Sequence, residues 1–328
     1  MPGNEVIFDG DGDARLHVGA GRSANPAVFT VCSRALSRAS PVFDNIFHGD
    51  GDAPQRDCCP SSEGPALSDR LVVELPHDDP AALALLLYAV HARFDQVPAR
   101  LPTDALHALA AVAHKYGATA VLRPWTASWT RPLAAEPDDG GGAALVKAMG
   151  ICWVLGCREG FFHAAAAFVE RAPAPALDDL QIPPDTIEYI LSVRLETIRL
   201  LCGVLREMIR NLIVVDEAPR WCRHATWFGH HRCESMILGS LVSGLSRAGL
   251  WPLPEAEEVK GSVRDLRARL DGVEVQDIGR AGGEEEGGDH GECNPSQHLR
   301  DATREVMEDV PRRLESIMFK TGQLDLSK

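Results

Sequence analysis

What this sequence lacks narrows its range first. No apolar run approaches the roughly 18 residues that a membrane-spanning helix needs. The first 20 residues are acidic and Gly-rich, without the basic start and apolar stretch of a secretory leader. Cations are scarce as well: 33 Lys and Arg stand against 47 Asp and Glu, a net charge of −14 that repels a phosphate backbone. No basic stripe with interleaved aromatics offers a local exception. Neither a membrane nor a nucleic acid is therefore an expected partner, and an intracellular location, cytoplasmic or nuclear, is expected. The nucleotide and hydrolase signatures Gly-x-Gly-x-x-Gly, Gly-Lys-Ser/Thr, His-Glu-x-x-His and Gly-x-Ser-x-Gly are all missing. With no visible site to carry chemistry, no catalytic residue is assigned and the chain is read as a non-enzyme.

What is present is ordinary for a folded protein: 328 residues, 45% hydrophobic and 24% charged, enough for two modest domains. Nine cysteines, an odd number, are scattered over the chain and read as reduced thiols; the vicinal Cys58-Cys59 pair falls in a loop. Asp13 to Gly19 alternates polar and apolar, and a second short run, Val28 to Val31, follows Gly and Asn, which predicts an opening β-hairpin. Ser40-Pro41 supplies a helix cap followed by proline, and Val42, Phe43, Ile46 and Phe47 follow at helical spacing up to Gly49. Residues 48–68, rich in Gly, Asp, Pro and Ser, predict a surface loop. Leu71 to Leu75 then predicts a strand, Asp79-Pro80 a second capped helix, and Thr103 a third, with Gly117 suited to the position just past its end.

This order of strand, strand, helix, loop, strand, helix, helix resembles the BTB/POZ fold. Asp13-Ala-Arg-Leu16 is similar to the family's opening strand. Phe29-Thr-Val-Cys-Ser-Arg-Ala-Leu36 with Ser40-Pro-Val-Phe43 and Ile46-Phe47 is similar to its following stretch. Leu71 to Leu75 before Asp78-Asp-Pro80, and Ala113-His-Lys-Tyr116, resemble its later strand and helix end. The rest of the chain, including Leu238-Gly-Ser-Leu241 and Gly249-Leu-Trp-Pro252, is similar to uncharacterised fungal BTB proteins. The resemblance implies an α+β BTB/POZ domain over 5–131 that binds proteins as a scaffold or adaptor, with itself or another chain as partner. Phe43, Ile46 and Phe47 are candidate interaction residues. It also raises a second function, a substrate receptor for a cullin ubiquitin ligase, although the long acidic loop lacks the hydrophobic-x-Glu element that cullin binding would use. Cys32-Ser33 replaces the family's His-Lys, and the segment before Asp13 is short. Corepressor recruitment and strand-exchanged dimerisation are therefore not expected.

Pro132 to Gly142 reads as a linker. Beyond it an all-α region is expected over 143–276, with helices at 143–157, 158–171, about 185–214 and 222–248. In the longest, Ile187, Leu191, Arg194, Ile198, Leu201, Leu205, Met208 and Leu212 recur at a 3.5-residue period. Ile190, Leu195, Leu200, Val204 and Ile209 nevertheless widen the apolar face, which favours packing within its own domain over a coiled-coil seam. The Gly- and Glu-rich segment 277–296 is expected to be disordered, and 297–320 to form an amphipathic helix kinked at Pro311. Trp125 and Trp129, at i and i+4, are expected to pack in the core.

The densest group of metal-ligand types is Cys222, His224, His230 and Cys233, two thiols and two imidazoles that could hold a tetrahedral zinc ion and make the C-terminal half a metal-stabilised structural module. On one continuous helix Cys222 and Cys233 would lie about three turns apart, so a shared ion requires a break near Gly229. The favoured reading is a helix start with packed thiols and exposed histidines. No cofactor is expected, with zinc the one exception that this group would admit.

Overall fold

In a computed structural model, which describes residues 4–21, 25–49, 71–135, 141–173, 182–213, 220–223, 230–279 and 290–320, the chain is α+β. The loop expected at 48–68 is described only to residue 49; Cys58-Cys59, His224, Gly229 and residues 280–289 of the Gly- and Glu-rich segment lie outside the described residues.

Alternation in the sequence builds the sheet. In β2 (Ala14–Val18), Ala14, Leu16 and Val18 are buried while Arg15 and His17 face out. β2 pairs antiparallel with β3 (Ala27–Val31), setting Leu16 opposite Phe29, as the predicted hairpin requires. β4 (Leu71–Leu75) lies parallel to β2 on the other side, and His17 Nδ1 meets Glu74 Oε1 at 2.6 Å across their shared register. An unpredicted strand, β1 (Asn4–Ile7), runs parallel to β3 and completes the order β1-β3-β2-β4.

Two helices follow the hairpin. α1 (Ser33–Ala39) ends at Ser40, whose hydroxyl accepts from Phe43 N–H at 3.0 Å to cap α2 (Pro41–His48) and donates to the Tyr116 carbonyl. Asp13 holds the start of α1, accepting from Ser33 N–H at 2.7 Å and its hydroxyl at 2.6 Å. α3 (Pro80–Val90), capped by Asp79, and α4 (Thr103–Lys115) pack together, and their buried residues share one core with those of the sheet. After α4 the Tyr116 ring stacks on Phe43 with centroids 4.2 Å apart, and its hydroxyl donates to buried Asp78 at 2.6 Å. Gly117, at φ +62°, turns the chain as expected.

Phe43 requires correction as an interaction residue. It is 0% exposed, held under Tyr116, and therefore belongs to the core; Ile46 and Phe47 are half-buried beside it. Trp129 is buried as expected, with its indole N–H on the Pro98 carbonyl at 2.9 Å, and Trp125, half-buried, stacks on it.

The described residues form two compact units, the first running to Ala164. Its extent differs from the expected domain. α5 (Arg123–Ala135) runs straight through Pro132, and the predicted linker's Gly141 and Gly142 already open α6 (Gly141–Val154). The apolar face of α6 packs on α4, so Ile151 and Leu155 join the first core. The division falls within α7 (Arg158–Arg171).

In the second unit, α8 (Pro184–Ile213) runs about 45 Å. α9 (His230–Arg247), α10 (Val263–Asp271), α11 (Ser296–Glu308) and α12 (Val310–Lys320) all pack against it. Its buried face, including Ile190, Val193, Ile198, Cys202, Leu205 and Ile209, is too wide for a two-stranded seam. Arg194, the polar break in that face, is buried because its guanidinium donates to the Gly261 carbonyl at 2.7 Å. The terminal helix expected over 297–320 is two helices that meet at Asp309, just before Pro311. Among the described residues no helix is long and apolar enough to cross a membrane.

Candidate metal centre

The helix expected over 222–248 is described from His230 to Arg247, and Cys222 lies in irregular chain at 220–223. Freed from helical spacing, Cys222 comes back to Cys233 in the first turn of α9. Their two partners are residues that the sequence reading had placed in a disordered segment. His290 and Cys293 sit three apart on a 3₁₀ turn, His290–Cys293, and all four ligand atoms lie within 4.8 Å of one another. All four residues are buried.

The separations suit a single ion. Cys222 Sγ is 3.6 Å from His290 Nδ1 and 3.9 Å from Cys293 Sγ. A zinc tetrahedron with Zn–S near 2.3 Å and Zn–N near 2.05 Å has edges of about 3.8 Å between sulfurs and about 3.6 Å from sulfur to nitrogen. A disulfide would need sulfurs about 2.05 Å apart, so the thiols are not oxidatively paired. Three sulfurs and an imidazole are soft and borderline donors that suit zinc and are poorly matched to calcium or magnesium. With four protein donors and no access for solvent, such a centre is closed, the pattern of a structural site and not of a catalytic one.

The surroundings hold the ligands in place. Glu234, itself buried, accepts through Oε1 from Trp221 N–H at 2.8 Å and Cys222 N–H at 3.1 Å, which ties the incoming chain to the first turn of α9. Trp221 Nε1 donates to the Cys293 carbonyl at 2.6 Å, and Arg223 N–H reaches Cys293 Sγ at 3.4 Å. An amide aimed at sulfur stabilises a thiolate and is a common outer-shell contact of metal-bound cysteine. On the far side, His290 N–H donates to the Gly279 carbonyl at 3.2 Å. Asn294 fixes the turn through Val275 and Asp277, at 3.0 and 2.8 Å, and its Oδ1 accepts from Ser296 N–H at 3.0 Å. Burial, then the neighbouring Cys222 and Cys293, push the Cys233 thiol up from its usual range. Three thiols in one apolar pocket cannot readily ionise together without a cation.

Of the four predicted ligands, Cys222 and Cys233 belong to the centre. His224 lies outside the described residues, and His230 contributes the first residue of α9. His290 and Cys293 were missed because Gly and Glu dominate the segment around them; the signal that could have exposed them is the His-x-x-Cys spacing itself, two ligand types one short turn apart. The chain matches no family model, no curated protein and no solved structure.

Proposed function

We propose that this chain is a protein-interaction module of the BTB/POZ kind, a scaffold or adaptor without catalytic activity, that pairs with a second copy or another protein. The observation that carries the reading is the path of the first unit: an antiparallel β2–β3 hairpin, the α1–α2 pair, β4 parallel to β2, then α3 and α4. The residues on which the resemblance rests fill structural roles along that path. Asp13 anchors α1, Phe29, Leu36 and Phe43 are core, and Tyr116 closes onto Asp78. Light scattering of the full chain at micromolar concentration, with affinity purification from cells, tests it. A self-associated species, or a partner lost on disrupting the first unit, supports the reading. A strict monomer with no specific partner overturns it, and co-elution with a BTB-binding cullin would shift it to a ligase substrate receptor.

A second reading is favoured by one observation, the four convergent ligands of the second unit. That unit is a structural module fastened by one zinc ion held by Cys222, Cys233, His290 and Cys293. Elemental analysis of the purified protein checks it, with one zinc per chain expected.

A further inference from the structure

The first unit contains another pair of cysteines, set by backbone geometry. α6 ends in a Schellman turn. Gly156 adopts φ +73°, its N–H donates to the Trp153 carbonyl at 3.2 Å, and Cys157 N–H donates to the Cys152 carbonyl at 2.8 Å. In this motif the residues at the two ends of the longer bond usually touch through apolar side chains. Here both are thiols.

Cys157 also immediately precedes α7. Gly160 stands in its first turn. A Cβ on Gly160 would lie 2.8 Å from Cys152 Sγ and 3.0 Å from Cys157 Sγ, so both sulfurs crowd the space that glycine leaves open. Cys152 is buried, whereas Cys157 is partly exposed. The neighbouring Cys152 thiol, then Thr130 and the Gly160 backbone, bring Cys157 down to about 5 against the opposing effects of burial and Glu159. Cys152, beside that sulfur and more deeply buried, is pushed up.

We propose that Cys157 and Cys152 form a peroxide-reactive dithiol, with Cys157 the attacking thiolate and Cys152 the thiol that closes an intramolecular disulfide. The Cys157 sulfur attacks one peroxide oxygen; the O–O bond breaks, hydroxide leaves and takes up a proton as water, and Cys157 becomes a sulfenic acid. Cys152 then gives up its proton and attacks that sulfur. The S–S bond forms, the S–O bond breaks and the oxygen leaves as a second water. Overall two thiols lose two electrons and two protons, and one hydrogen peroxide becomes two waters.

The test uses the reduced full chain and separates reactivity from folding. A low-pKa thiolate is intrinsically less nucleophilic than an ordinary one, so at pH 7 Cys157 should react with iodoacetamide at about the rate of N-acetylcysteine; at pH 6 it should be roughly tenfold faster, because the ordinary thiol is then almost wholly protonated. After hydrogen peroxide, mass spectrometry should find Cys152 and Cys157 joined, with two hydrogens lost. Cys152→Ser should leave a sulfenic acid at Cys157 that dimedone captures, and Cys157→Ser should abolish both products. If alkylation of Cys157 in the wild-type chain falls between pH 8 and pH 6 as steeply as that of N-acetylcysteine, or if peroxide leaves the pair unjoined, the proposal fails.

Discussion

Replacing Cys293 with serine perturbs the metal centre at the residue with most ties to it. Its sulfur lies 3.9 Å from Cys222 Sγ and accepts from Arg223 N–H, while its carbonyl accepts from the Trp221 indole. Structural zinc contributes about 10–16 kcal/mol of apparent binding free energy, so one ligand in four accounts for about 2.5–4 kcal/mol, or roughly 10²–10³-fold in affinity. A serine hydroxyl does not replace it, because zinc binds the thiolate and a hydroxyl stays protonated. A domain of this size is stable by only about 5–15 kcal/mol, so loss of the ion should unfold much of the second unit. The assay is zinc content by mass spectrometry, competition with a chromophoric chelator, and thermal unfolding. Wild type should carry one equivalent and lose its main transition on treatment with a strong chelator; Cys293→Ser should surrender its zinc to the competing chelator roughly 10²–10³-fold more readily and unfold at a lower temperature. Cys202→Ala is the control, since Cys202 lies in the same core on α8 but outside the ligand group, and it should keep its zinc. Wild type with less than about 0.2 equivalents, or with unfolding indifferent to chelator, would refute the reasoning.

Tyr116→Phe removes the hydroxyl that donates to Asp78, a carboxylate only 6% exposed, and leaves Lys115 as its remaining side-chain donor. The loss should be about 1.5–3 kcal/mol by urea denaturation. Trp129→Phe keeps the ring stack but strands the Pro98 carbonyl, for a cost of about 1–3 kcal/mol in the same assay. His91 donates from Nδ1 to the Leu87 carbonyl and accepts from Cys32 N–H at Nε2, so it is held neutral, and burial holds its pKa below the usual 6.5. In the window between that depressed value and 6.5 the unfolded chain binds the extra proton, so stability should fall as pH drops below 6.5; His91→Gln should flatten the slope, and an unchanged slope would contradict the assignment.

Much of the first unit was legible because its signals are local. Ser40-Pro41 and Asp79-Pro80 each cap a helix where expected, and Leu16 and Phe29 sit on the inward side of a predicted hairpin. β1 escaped because four residues carry too little alternation, and it exists by pairing with β3. Pro132 to Gly142 differs at its two ends, where Pro132 lies inside α5 and burial of α6 against α4 outweighs the local preference of Gly141 and Gly142; its middle, 136–140, lies outside the described residues. The metal centre was half legible. Cys222 and Cys233 stand close in sequence, but convergence depends on the irregular chain at Cys222 and on a turn 57 residues beyond Cys233, which no local pattern encodes.

That separation bears on how the chain would fold. Cys222 and Cys293 are 71 positions apart, and a link between them closes a loop whose entropy in the unfolded chain is about 4.4 kcal/mol on the usual loop-closure relation. None of that benefit exists while the chain is still growing, because the last two ligands leave the ribosome after α8, α9 and α10 have been made. Those helices emerge with exposed apolar faces and no cross-link to hold them. If the four ligands hold zinc as proposed, a cell short of it would accumulate an unfinished C-terminal half, vulnerable to chaperone capture and proteolysis, whereas the N-terminal sheet, complete before any ligand is synthesised, would be spared.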